Sequence, residues 1–173
     1  MATTCVLLQY GDDPFRHRFE DLEGRAAFSM YQAGQTPNLV TRITRQAEWS
    51  QQHPGIMGPD NSFLYFGPET SIGFIMYGNN RTQIGMNFLL RPGKKEGSVS
   101  RYFITQSGKE LKWRVGSHRM ECVDGRTTLA TWDVSPATDE HYARLVIRPA
   151  GLHIVTEIIT TLALNRMARA LGW

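Results

Sequence analysis

The segment "LHIVTEIITTLALNRMARALGW", Leu152 to Trp173, decides the fold. It is the longest apolar stretch in a chain that otherwise alternates and turns. At helical period, Ile154, Val155, Ile158, Ile159, Leu162 and Ala163 share one broad face. Leu164, Met167 and Leu171 lie on the other side, with Thr156 and Thr160 between them. A helix apolar nearly all round belongs in a core or in a membrane. A spanning helix needs about twenty uninterrupted apolar residues. Here Glu157 interrupts one end, and Asn165, Arg166 and Arg169 interrupt the other. Only Ile158 to Leu164 is free of charged and amide side chains, roughly 10 Å of helix against roughly 30 Å of hydrocarbon. Glu157 in hydrocarbon would add a cost of about 2–3 kcal/mol. The segment therefore predicts a core helix over about residues 152–171, and no transmembrane segment.

A core helix needs a container, and the preceding residues read as one. Short apolar or alternating runs recur between turn signals: Val6–Leu8, Phe15–Phe19, Ala26–Tyr31, Leu39–Thr44, Phe63–Phe66, Ile72–Met76 and Thr82–Leu90. "QQHPGIMGPDN", Gln51 to Asn61, reads as a loop. Later runs are Tyr102–Ile104, Leu111–Val115, His118–Cys122, Thr127–Trp132 and Ala143–Ile147. Asp124-Gly125 between two of them is a hairpin signal. The spacing predicts a mainly β fold over about residues 4–148. Its form is a roughly twelve-stranded antiparallel barrel enclosing the C-terminal helix, since only barrels larger than eight strands have room for one. The whole chain, 1–173, reads as a single domain.

Composition narrows the function classes. Hydrophobic residues make up 41% and charged residues 20%, which suits a folded chain. The net charge of +3 permits attraction to phosphate or an anionic surface but lacks the dense basic stripe of a nucleic-acid reader. Cys5 and Cys122 form no metal or redox motif and read as free thiols. The first residues carry no basic region or apolar run of signal-peptide length, so a cytoplasmic protein is expected. No HExxH, HxH, nucleophile elbow or phosphate loop occurs, so neither metal nor cofactor is predicted, and no catalytic residue is assigned.

Four stretches carry a resemblance: "YFITQSGKELKW" (Tyr102–Trp113), "TTLATWDVS" (Thr127–Ser135), "ARLVIRPAG" (Ala143–Gly151) and "IVTEIITTLALNRMAR" (Ile154–Arg169). In this order they resemble a fungal family of unknown function with a Tubby-like barrel. That family is akin to the Tubby C-terminal, LURP-one and phospholipid-scramblase group. The resemblance implies the same helix-filled barrel. Tubby relatives bind phosphoinositides, which is likeness at the level of fold only.

Candidate sites follow from local patterns. Arg91, Lys94, Lys95 and Arg101 flank the loop "RPGKKEGSVSR", and Lys112 and Arg114 lie on the next hairpin. Together they read as a basic face for an anionic headgroup or peptide, or else as a solvated sheet edge. In "RHR", Arg16 and Arg18 share one face and His17 the other, with Phe15 and Phe19. This predicts an edge strand with an inward histidine, or a small site acting on a phosphorylated or ester substrate. Glu157 on a buried helix predicts an ion pair with an inward Arg or Lys. Arg166 and Arg169 are expected to emerge at the barrel mouth, and Trp173 to cover it. Trp49, Trp113 and Trp132 read as core. The leading expectation is a non-enzymatic module, cytoplasmic or peripheral at membranes, for an anionic membrane lipid or a protein partner. A small enzyme near His17 and a purely structural protein are the alternatives, and the oligomeric state is open.

Overall fold

A computed structural model of the chain describes residues 3–173. Thirteen strands form one antiparallel sheet. They are β1 (Cys5–Asp13), β2 (Arg16–Glu20), β3 (Ala26–Gly34), β4 (Val40–Arg45), β5 (Asn61–Tyr65), β6 (Phe74–Tyr77), β7 (Ile84–Gly85), β8 (Arg91–Pro92), β9 (Ser100–Ile104), β10 (Glu110–Arg114), β11 (Arg119–Asp124), β12 (Thr127–Val134) and β13 (Ala143–Ile147). Their order in the sheet is β7-β6-β5-β4-β3-β2-β1-β13-β12-β11-β10-β9-β8. The single long-range junction pairs β1 with β13, Cys5 opposite Ile147 and Gln9 opposite Ala143. Every other pairing joins neighbours in the chain. Among the described residues there are three α-helices, α1 (Ala47–Gln52), α2 (Met86–Leu89) and α3 (Val155–Leu171), and two 3-10 turns, one at Pro68–Thr70 and one at Pro149–Ile154 that leads into α3.

Alternation sets which side chains fill the interior. On β10, Leu111 and Trp113 point in; on β2, His17 and Phe19 do. Gly125 turns β11 into β12 with φ +57, a conformation that suits glycine. From Val155 to Ala168 every residue of α3 is buried. The wall reaches it from all directions: Trp113 on β10 donates its indole N–H to Thr161 Oγ1 (2.8 Å), and Ser62 on β5 bonds Thr160 Oγ1 (2.7 Å). Thr156 donates to the carbonyl of Pro59 (2.7 Å). Thr160, Thr161 and Asn165 also bond back to carbonyls one turn earlier in the helix. The core helix is thus as the sequence predicts.

Three expectations need correction. The sheet is curled about α3 but is not closed into a hydrogen-bonded barrel. β7 and β8 are its two edges, although only Met86–Leu90 separates them in the chain. The edges therefore approach each other, and α2 bridges the seam. Second, Thr82–Leu90 is not one strand but β7 followed by α2. Met86 and Leu89 are buried, while Phe88 stays exposed, a helical pattern too short to read in advance. Third, β2 is an interior strand between β1 and β3, not an edge. The sequence reading also misses α1, which buries Trp49.

Thr161→Val keeps the volume of the side chain but strands the indole N–H of Trp113. The expected loss is about 1–3 kcal/mol of unfolding free energy in denaturant titration. Adding Trp113→Phe removes the stranded donor, so the double variant loses less than the two single losses combined.

Candidate functional site

The basic loop and hairpins form a cleft of about 580 Å³ on the outside of the wall. Arg91, Lys94, Lys95, Ser98, Ser100, Tyr102, Glu110 and Lys112 line it. Strand register builds part of it: Arg91 lies opposite Tyr102, and Tyr102 opposite Lys112, so the three share one face. The Lys112 ammonium sits 5.9 Å from the Tyr102 ring centre. Arg91 is paired with Glu110 at 2.7 Å. Among the described residues, Lys94, Lys95 and Lys112 form no ion pair. Four cations thus face one carboxylate, with two serine hydroxyls between them. Phe88 and Val99 stand exposed, at 59% and 62%, beside this cleft in the chain.

Two members of the predicted basic face do not join it. Arg101 lies opposite Trp113 and turns toward the interior. It donates to the carbonyls of Leu90 (2.9 Å) and Trp173 (3.1 Å), fastening the end of α3 to the wall. Arg114 lies opposite Ser100 at the rim of the cleft but does not line it, and reaches Glu121 at 3.5 Å. Arg119 is held between Glu121 and Asp133, and Lys109 pairs with Asp124. The outer face of β10 to β12 therefore carries alternating charge. Ser98, Ser100 and Tyr102 line the cleft without a charge pattern that marks them in the sequence, although the parity of Tyr102 matches that of Lys112.

Arg16 and His17 lie six strand positions away from β9 along the sheet. Arg16 is exposed on the outer face. His17 is inward and 7% exposed, its Nδ1–H donating to the carbonyl of Asp13 at 2.9 Å. Burial, opposed by that hydrogen bond and aided by nearby Arg166, lowers its pKa to about 4. Arg166 does not emerge at the mouth as expected. It is 7% exposed, donates to the carbonyl of Asp12 at 2.8 Å, and lies 5.0 Å from the Trp132 ring centre. Arg169 is exposed, as expected. Trp173 is partly buried, its ring 6.1 Å from that of Phe66.

Glu157 is 4% exposed, and among the described residues it forms no ion pair, contrary to expectation. Its Oε2 accepts the backbone N–H of Gln106 at 2.9 Å, at the turn between β9 and β10. Burial raises its pKa, and the Gln106 hydrogen bond opposes the rise. Among the described residues no three His, Cys, Asp or Glu side chains are grouped to hold a metal, and no helix is long and apolar enough to cross a membrane.

The chain belongs to DUF6593, a family of unknown function, whose model matches residues 12–170. The match takes in all of the basic cleft and nearly all of α3. No curated protein and no solved structure matches the chain.

Two of the buried titratable groups, Glu157 and His17, act on stability with opposite sign. The contribution of Glu157, whose pKa is raised, is complete below the ordinary carboxylate range and is lost as pH rises through the raised value. That of His17 is present above the ordinary histidine value and is lost as pH falls toward about 4. Glu157→Gln keeps an acceptor for Gln106 and removes the buried charge. Its melting temperature is expected to match or exceed the wild type at neutral pH, with the gap closing at acid pH. Thermal melts of both proteins across the range check this, and the variant-minus-wild-type difference cancels the His17 effect.

Proposed function

We propose that this chain is a non-enzymatic binding module that docks on an anionic membrane through the cleft of Arg91, Lys94, Lys95 and Lys112, taking a phosphorylated lipid headgroup there. One observation carries the reading. Three lysines that form no ion pair among the described residues converge on a single cleft with serine hydroxyls, and Phe88 and Val99, close to its residues in the chain, are exposed. Lysine ammoniums and hydroxyls suit phosphate oxygens. Exposed apolar side chains next to such cations suit the headgroup boundary of a bilayer, where each basic residue near the surface contributes about 1 kcal/mol. Phosphate on the adjoining face of β10 to β12 would meet Glu121 and Asp133, already paired with arginine. A Tubby-like wrap of the sheet, by analogy with phosphoinositide-binding relatives of that group, agrees with this reading. Arg101 and Arg114 contribute the frame and the rim in this proposal, and Arg16 and His17 take no part.

The test is sedimentation with phosphatidylcholine vesicles, with and without a few per cent of a phosphoinositide, at low salt. Binding is expected to need the phosphoinositide, to weaken as salt rises, and to fall about tenfold or more in Lys94→Glu/Lys95→Glu. Absence of binding at low salt, or binding unchanged in the variant, overturns the proposal. Competition by free inositol trisphosphate separates headgroup recognition from attraction to any negative surface, and so does binding to phosphatidylserine vesicles of equal charge.

A further inference from the structure

The basic cleft contains a hydroxyl whose modification would change the charge of the whole site. The loop Gly93–Val99 joins β8 to β9, and Lys94 to Val99 are all exposed. Its ends are fixed: β8 pairs with β9, and the backbone N–H of Gly93 donates to the carbonyl of Ser100 at 3.1 Å. Its tip is a tight turn, in which the N–H of Ser98 donates to the carbonyl of Lys95 (3.1 Å) and Gly97 takes φ +73. Ser98 Oγ accepts the N–H of Ser100 at 3.2 Å and lies against Gly93, where a Cβ would not fit. Ser98 is thus exposed and lines the cleft.

Sequence and charge both bear on this serine. Lys94-Lys95-Glu96-Gly97-Ser98 places two ammonium groups three and four residues before the hydroxyl. That spacing suits a serine kinase whose peptide groove is acidic, and an exposed loop with few bonds of its own can open into such a groove without disturbing the wall. Lys94, Lys95 and Lys112 line the cleft and form no ion pair among the described residues, whereas Arg91 is taken by Glu110. A phosphoryl group on Ser98 would bring about −1.5 to −2 charges and three acceptor oxygens among those lysines. Being tethered, it would act at an effective concentration on the order of millimolar.

We infer that Ser98 is a phosphorylation site and that its phosphate switches the basic cleft off. This rests on the reading of the cleft as a membrane-docking site for anionic headgroups. A serine kinase that recognises preceding basic residues transfers the γ-phosphoryl group of ATP to Ser98 Oγ. The new O–P bond forms as the bond to the departing ADP breaks, and the hydroxyl proton passes to the base of the kinase. The phosphoserine then engages Lys94, Lys95 and Lys112, so an incoming headgroup meets a filled site and like charge. Hydrolysis by a phosphatase restores the hydroxyl and frees the lysines.

The test compares three forms of the full chain: unmodified, with phosphoserine placed at 98 during translation, and with phosphoserine at 107. Ser107 is exposed beyond the other end of β9, so it carries the same charge away from the cleft. On phosphoinositide vesicles at low salt, the form modified at 98 is expected to bind about tenfold or more weakly than the unmodified chain, and the form modified at 107 within about twofold of it. Phosphorus NMR reads the seating of the phosphate without lipid. Nearby lysines lower its second pKa, ordinarily about 6, so the phosphate at 98 is expected to titrate about half a unit or more below that at 107. Mass spectrometry of the chain from its own cells is expected to find phosphate on Ser98, depleted in the membrane fraction. The switch is overturned if the form modified at 98 binds like the unmodified chain or like the form modified at 107. It is overturned equally if the two phosphates titrate alike, or if Ser98 carries no phosphate in cells. Failure of the unmodified chain to bind the vesicles is the separate outcome that overturns the membrane reading, and the switch with it.

Discussion

The structure depends on a helix with no solvent face. Once α3 is enclosed from Val155 to Ala168, water satisfies none of its polar side chains. Each must find a partner on the helix itself or on the wall. Thr160, Thr161 and Asn165 turn back to carbonyls one turn earlier, while Ser62, Trp113 and the carbonyl of Pro59 meet the threonines from the wall. These contacts come from β5, β10 and the loop before β5, segments far apart in the chain. They fix the rotation and depth of the helix in a way that aliphatic packing, being non-directional, does not. The position of the basic cleft follows, because Arg101 on β9 bonds the carbonyl of Trp173, just beyond α3.

Much of this was legible in the sequence because it rests on period. The apolar pattern of Leu152–Trp173 announced a buried helix, and the alternation of Leu111, Trp113 and Val115 announced a strand. Period also contained information left unread. Phe103 is inward, so Tyr102 must face outward with Lys112, and Arg101 must face inward with Trp113. What no period contains is pairing across strands. Arg114 and Arg119 look like free positive charge until the register places Glu121 and Asp133 beside them. Glu157 invited an expected lysine or arginine, but its partner is a main-chain N–H, which every residue possesses and no sequence motif marks. The seam was illegible for a different reason, since two-residue strands and a four-residue helix are shorter than any repeat they could display.

Charge on this molecule is local. The basic cleft gathers lysines against a single carboxylate, and the turn at Asp21–Arg25 gathers two carboxylates around one arginine. A chain whose net charge is only +3 thus has local fields of both signs, and bulk charge says little about what either region attracts. The buried His17 and Arg166 belong to neither. They occupy the opposite end of α3 from Glu157, beneath the turn between β1 and β2, where aromatic rings and backbone carbonyls surround them.

The unbonded seam between β7 and β8 bears on how the chain can assemble. α3 follows all thirteen strands, so the wall leaves the ribosome before its filling. Were main-chain hydrogen bonds continuous around the wall, a finished cylinder would have to be threaded end-on by an apolar rod. With the two edges joined only through α2, the sheet can hinge open along one line and fold shut sideways around the helix, as a cover closes on a spine. The same line is where the native protein would first part under load, and amide hydrogen exchange would register it there before anywhere else in the wall.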